Sequence, residues 1–278
     1  MLRLIRHLRT LGRRISSMRT LRWRLATARE ADRPVLCNVG CGTRHHPAWI
    51  NIDFHGDGSD VLLWDLRRGL PLPDGSCDVV YSSHVIEHFD RDGARRFLAE
   101  CRRVLKPRGI VRVVAPDLEG IARAYLGCLE EVRGENAGAS DRYEWIVMEL
   151  VDQLVRHRSG GEVLRFWSRD VVPAEDFVVA RVGAEYWRVR PKLKGRMSPH
   201  DAPNAAEVGR FRLGGEVHQW MYDSYSLGML IADSGFVKVR RCAADESTIE
   251  SFTAYNLDTE PDGSVYKPDS FFMEAESP

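Results

Sequence analysis

The stretch Val35–Asp53, VLCNVGCGTRHHPAWINID, decides the reading of the fold. Val35, Leu36 and Val39 around Cys37 suit a buried strand. Gly40 and Gly42 follow, and a Gly-x-Gly turn lets backbone approach a ligand more closely than any Cβ permits. A second apolar segment, WINID, ends on the carboxylate of Asp53. A dinucleotide site wants a third small residue three positions past the second glycine, so that a helix N-terminus can reach the pyrophosphate, and that position is His45. Residues 40 to 48 are also too few for a crossover helix of the usual dozen or more residues. An adenosine ligand without a pyrophosphate fits; NAD does not.

Outward from this stretch, strand-like and helix-like segments alternate, which favours an α/β sheet covered by helices. DVLLWDL ends a third strand, and Asp78 to Tyr81 forms a fourth. A helix follows with Phe97, Leu98, Cys101, Val104 and Leu105 on one stripe, then a Pro107-Arg108-Gly109 stop and a fifth strand from Ile110 to Ala115. From Leu118 to about Glu216 the pattern changes to a helical and irregular insertion, in which the run YEWIVMELVDQLVRHR stops at Gly160-Gly161. A helix with Leu227, Leu230 and Ile231 inward, stopped by Gly235, then restores order before a strand, and DSFFMEA forms the last strand. The expected division is an arm over 1–30, a cofactor-binding core over 31–118, an acceptor-side insertion over 119–216 and a completing segment over 217–278.

Forty basic and forty acidic residues cancel over the 278-residue chain, which argues against bulk nucleic-acid binding. The balance is uneven: residues 1–30 hold nine arginines against Glu30 alone, a net charge of +8 that leaves the remainder near −8. Arginine every three or four residues interrupts this arm, so it lacks the continuous apolar core of a signal peptide or membrane span, although an organelle transit peptide shares its arginine-rich look. Leu4, Leu8, Leu11, Ile15 and Met18 fall on one face of a basic amphipathic helix. Such a helix can lie on an anionic membrane surface or pack on protein, either a second copy in a homodimer or the chain's own acidic body; protein packing is the preferred reading. Six cysteines without a CxxC pair or a matching zinc set suit reduced thiols in a cytoplasm, with the inner membrane surface as the arm's other option.

In a doubly wound sheet, ligands sit at the carboxyl ends of the strands near the topological switch point. Gly40 and Gly42 end the first strand, Asp53 the second, Asp65 the third, and Ser82, Ser83 and His84 the fourth. Asp53 can accept both ribose hydroxyls, and Asp65 can accept from an adenine amino group while Trp64 and Leu66 offer apolar surface to the ring.

LCNVGCG, WINID, LPLPDGSCDVVYSSHVIEHF, ECRRVLKPRGIVRVVAPDLE and YSLGMLIADSGF together resemble the motifs of class I S-adenosylmethionine-dependent methyltransferases, the type 11 group in particular. That resemblance implies a Rossmann-like doubly wound sheet, mostly parallel with an antiparallel last strand, and S-adenosyl-L-methionine as cofactor. It places Asn38, Gly40, Cys41 and Gly42 under the methionine part, Asp53 at the ribose, Asp65 and Leu66 at adenine, and Ser82 and His84 beside the methyl-bearing sulfur. Two features depart from the pattern: Asn38 stands where an acid often opens the glycine motif, and the first helix is truncated.

The expected activity is methyl transfer to a small-molecule or glycan acceptor at oxygen. The protein must align that nucleophile, exclude water and remove a proton, and no metal is required. His84 and His218 are the candidate bases, since histidine titrates near neutrality. His88 reads as a capping or packing residue, Glu87 as structural, and His45 and His46 as loop residues near the cofactor mouth. His55, Asp57 and Asp60 read as an exposed turn rather than a metal site. Trp145, Trp167, Tyr186 and Trp187 either line an acceptor pocket or form core. The competing readings are an NAD-linked oxidoreductase, disfavoured by His45, and a catalytically silent binding module, disfavoured by the intact strand-end set.

Overall fold

A computed structural model describes residues 17–56, 60–193 and 203–278. Helix α1 covers 17–30 and leads into strands β1 (Leu36–Val39), β2 (Ile50–Asp53), β3 (Val61–Leu63) and β4 (Cys77–Ser83). Helix α2 (Arg91–Val104) and strand β5 (Leu105–Pro116) follow. Six helices come next: α3 (Leu118–Arg133), α4 (Ala139–Val155), α5 (Gly161–Trp167), α6 (Glu175–Val182), α7 (Ala184–Val189) and α8 (Ala205–Arg212). Helix α9 (Ser224–Asp233) and strands β6 (Val237–Cys242) and β7 (Ser270–Glu276) complete the chain.

The seven strands form one sheet in the order β3-β2-β1-β4-β5-β7-β6. All pairings from β3 through β5 are parallel, and β7 runs antiparallel to both neighbours, as the resemblance implied. Alternation along β1 divides the two faces, with Cys37 and Val39 in the core under α1, α2 and α9 and Leu36 on the opposite face with Trp49, Tyr81 and Phe252.

No separate stop is needed after α2. Leu105 leaves the helix at φ −75°, ψ 141° and enters β5 directly, pairing with Cys77, so this strand begins five residues before the expected Ile110. The register shift between Cys77 and Val79 takes up the irregular Pro107-Arg108-Gly109 run, with Arg108 at φ 65°. The third strand is shorter than its apolar run, leaving Trp64 and Asp65 beyond its end.

The helices between β5 and α9 have a core of their own, built on Trp145, Phe166, Trp167, Val178, Val182 and Tyr186. Three of the four aromatics singled out in the insertion are therefore buried in it, while Trp187 is exposed. In α1, Leu21 is fully buried in the main core, with Met18, Leu25 and Ala28 packed beside it, and Arg24 Nη1 donates to the carbonyl of Trp49 at 2.6 Å. Leu4, Leu8, Leu11 and Ile15 lie outside the described residues, as does Asp57. Among the described residues no helix is long and apolar enough to cross a membrane.

Candidate active site

The switch point falls between β1 and β4, and a cleft of about 530 Å³ opens there at the carboxyl ends of the parallel strands. Gly40, Gly42, Asp53, Asp65, Leu66 and His84 all line it. Gly40 has φ 71°, and a Cβ on it would stand 2.1 Å from Val85 Cγ2, so no larger residue fits. Gly42, at φ 51°, has open space where a Cβ would project, leaving its backbone accessible to a ligand.

Asp53 is fixed by backbone donors. Its Oδ2 accepts from Gly42 N and its Oδ1 from His55 N, each at 2.8 Å. A carboxylate offers about four lone-pair positions, so each oxygen retains one for a ligand hydroxyl. Asp65 is held by Arg67, whose Nε and Nη2 reach its two oxygens at 2.9 and 3.0 Å, and this hydrogen-bonded guanidinium lowers its pKa. Arg67 Nη1 also donates to Leu213 O at 3.1 Å, tying this wall to the end of α8 and the chain after it, where Phe211, Gly214, Gly215 and Glu216 line the cleft.

Asn38, Cys41 and Ser82 are buried and do not line the cleft. The register explains Asn38: Asn51, Asn38, Tyr81, Arg112 and Glu274 stand opposite one another on five neighbouring strands, a polar row across the face away from α2. Asn38 Nδ2 donates to Asn51 Oδ1 at 3.3 Å and to Arg44 O at 3.0 Å, so an amide there serves the sheet and the loop. Further along the row, Arg112 has no exposed side-chain surface and reaches Asp258 and Glu274 at 2.7 Å each.

A second cavity of about 340 Å³ lies among β5, α3 to α5 and the segment before β7. Glu149, Gln153, Arg156, Lys267 and Asp269 line it, with edges of Trp145 and Trp167. The sequence offered the tryptophans as a candidate wall but gave no signal for the polar lining, which comes from elements more than a hundred residues apart. His84 and Glu216 lie in the walls of both cavities.

His84 has φ 53°, an uncommon conformation for a residue with a Cβ, just past the end of β4. This turns its ring between Ser270 Oγ, 2.8 Å from Nε2, and Glu87 Oε1, 3.3 Å from Nδ1. Glu87, read from sequence as structural, is fully buried at the centre of three histidines. Burial opposes its charge, but His84, and to a lesser degree His88 and His218, outweigh that and bring its pKa down to about 2. For His218 burial prevails over the attraction of Glu87 and lowers the pKa to about 3, so the ring is neutral. His88 and His218 meet edge to face at 4.9 Å between centroids.

Residues 51–113 match the model of a methyltransferase domain family, Methyltransf_11. A 57-residue stretch is 49% identical to a probable S-adenosylmethionine-dependent methyltransferase of Mycolicibacterium smegmatis; the match covers 19% of this chain and about a fifth, 21%, of that protein. Among solved structures, a SAM-dependent methyltransferase from Archaeoglobus fulgidus shares 14% identity over 91% of this chain and 92% of its own, with a TM-score of 0.36. One from Aquifex aeolicus shares 11% over 88% and 82%, with a TM-score of 0.35. Over this central stretch the chain is similar to S-adenosylmethionine-dependent methyltransferases of the type 11 group.

Proposed function

We propose that the chain transfers a methyl group from S-adenosyl-L-methionine to a hydroxyl oxygen of a small, hydroxyl-rich acceptor such as a sugar. The observation that carries this reading is the position of His84, in the wall of the strand-end cleft and of the second cavity at once. A donor in one and an acceptor in the other would meet at that side chain.

The cleft suits the cofactor. Gly40 and Gly42 give close backbone approach, Asp53 keeps acceptor capacity for ribose hydroxyls, and Leu66 offers apolar surface beside Asp65. When bound there, the sulfonium supplies an electrophilic methyl group. The chain's own task is to align the acceptor and take its proton. The negative charge of Glu87, 3.3 Å from Nδ1, favours the proton of His84 on that nitrogen and leaves the Nε2 lone pair toward Ser270. The acceptor hydroxyl takes the place of Ser270 Oγ at Nε2 and gives its proton there, and Glu87 stabilises the resulting imidazolium. His218, held neutral at a pKa of about 3, is too weak a base for this step and serves as a wall of the acceptor cavity. Acids, a lysine, an arginine and a glutamine around that cavity offer partners to an acceptor's hydroxyls, beside apolar surface from Ile121, Leu164, Trp145 and Trp167 on which a sugar's C–H face can rest.

Calorimetric titration with S-adenosylhomocysteine, with NAD in parallel, tests the donor half. Binding of the first and not the second is expected, and no binding of S-adenosylhomocysteine overturns the reading. Label transfer from methyl-labelled donor to a panel of sugars and quinones tests the acceptor half, with label in the sugars expected.

A further inference from the structure

We propose that Glu87, His88 and His218 form a binding site for a divalent transition-metal ion of the zinc type. One ligating atom from each of the three lies within 4.8 Å of the others. The donor set, two imidazoles and a carboxylate, is one that zinc and its neighbours favour.

The polar atoms of this cluster lack partners. Both carboxylate oxygens of Glu87 are buried without a hydrogen bond, and so are Nδ1 of His88 and Nδ1 of His218. His84 Nδ1 stands 3.3 Å from Glu87 Oε1, in ion-pair range but off the line a hydrogen bond needs. Buried polar groups in folded proteins are nearly always satisfied, and the two orphan oxygens of Glu87, with His218 Nε2 4.0 Å from Oε1, call for a partner. A cation coordinated by Glu87 and the two rings supplies one.

The backbone holds these residues in place independently of any ion. Glu87 O accepts from Gln219 N at 2.6 Å and from Trp220 N at 3.2 Å, fastening the short turn Ile86–His88 to the segment that carries His218. His218 N in turn donates to Gln153 O of α4 at 3.0 Å. Zinc–ligand distances of about 2.0 to 2.2 Å require the three side chains to draw in by about an ångström, within reach of small side-chain rotations. His84, whose Nδ1 approaches the same Oε1 that His218 faces, is placed to orient the carboxylate as outer groups commonly orient metal ligands. His88 lies in the wall of the cleft and His218 in that of the second cavity, so the ion would sit in the partition between them. The spacing Glu87-His88…His218 forms no contiguous motif, which is why the sequence does not announce it. This inference does not depend on the proposed methyl transfer.

The test uses the full chain, stripped with a chelator and titrated with Zn²⁺ or Co²⁺ alone, with bound metal measured by mass spectrometry after equilibrium dialysis. One equivalent of metal is expected, with a visible absorption band for Co²⁺. His88→Gln and His218→Gln should each weaken binding at least ~10-fold, as should Glu87→Gln, while the exposed His157→Ala should leave it unchanged. Circular dichroism confirms that each variant is folded, and the three independent positions keep the proposal testable if one is not. Absence of stoichiometric metal in the stripped and reloaded wild-type protein, or equal affinity in folded His88→Gln and His218→Gln, overturns it; in the first case the orphan atoms are met by water.

Discussion

Nδ1 of His84 lies 3.3 Å from Oε1 of Glu87, three residues along the chain, and the carboxylate it faces has no exposed surface. The strained backbone of His84 holds the ring in this position at the junction of two cavities. If the pair removes the acceptor's proton, His84→Ala lowers kcat by ~10²- to 10⁴-fold while S-adenosylhomocysteine affinity stays within about twofold. Glu87→Gln keeps the shape and removes the charge, and it should lower kcat while leaving the KM for the methyl donor in place. Steady-state kinetics of both variants check this, and a full rate in His84→Ala removes the base assignment.

Asp53 carries the second prediction. Its two oxygens are anchored by Gly42 N and His55 N and face the cleft, so Asp53→Ala should weaken S-adenosylhomocysteine binding by ~1.5 to 3 kcal/mol, the scale of a hydrogen bond to a charged group. Calorimetry reads this directly, and unchanged affinity takes Asp53 out of the site.

The strand ends were legible in sequence because a parallel sheet is read by local signals: short apolar runs, glycines at the turns and acids just past them. Those signals placed Gly40, Gly42, Asp53, Asp65, Leu66 and His84 in one cleft. They could not show that Asn38 belongs to a polar row, because that depends on register with Asn51, Tyr81 and Arg112 on other strands. Nor could they expose Glu87 as the centre of a histidine cluster. It lies in an apolar turn between Ile86 and Phe89, and its partner His218 arrives from 131 residues away by the return of the chain after α8. Local pattern fixes which strand end a residue occupies; tertiary return decides what faces it.

Acid stability follows from His218 and Glu87. The folded His218 has a pKa of about 3 against an ordinary 6.5, so between those values the unfolded chain binds more protons and stability falls as pH falls. Glu87, at about 2 against 4.5, adds a loss in the same direction below pH 4.5. The expected slope from His218 alone is on the order of 1 kcal/mol per pH unit between pH 6 and 4. Denaturant unfolding across this range checks it, and a folded His218→Gln variant should show a flatter profile. A slope unchanged by that substitution assigns the acid loss elsewhere.

Arg112 offers a test of the polar row apart from catalysis. Its guanidinium is fully buried between Asp258 and Glu274, and removing one partner of a buried ion cluster leaves uncompensated charge. Arg112→Ala should therefore destabilise the chain by ~3 to 5 kcal/mol. Arg112→Lys should recover only part of this, since one ammonium cannot reproduce the guanidinium's contacts with Asp258, Glu274 and the carbonyls of Ala243 and Glu246. Urea unfolding of both variants measures the difference.

The arm provides the last prediction, in two parts that the structure separates. Met18, Leu21, Leu25 and Ala28 continue the three-and-four spacing of Leu4, Leu8, Leu11, Ile15 and Met18, and in α1 this stripe is packed into the chain's own core. Leu21→Ala should accordingly cost ~2 to 5 kcal/mol, the usual range for opening a cavity at a buried leucine, and a melting curve will show it. Residues 1–16, outside the described residues, carry five of the arm's nine arginines and the rest of the stripe. Deleting only these residues separates the outcomes. Loss of sedimentation with anionic vesicles at low salt, with an unchanged melting temperature, assigns them to a membrane surface. A smaller particle on sizing or a lower melting temperature, in a protein that ignored vesicles when intact, assigns them to protein packing. Packing is the expected result, because the same stripe is already buried against protein from Met18 onward.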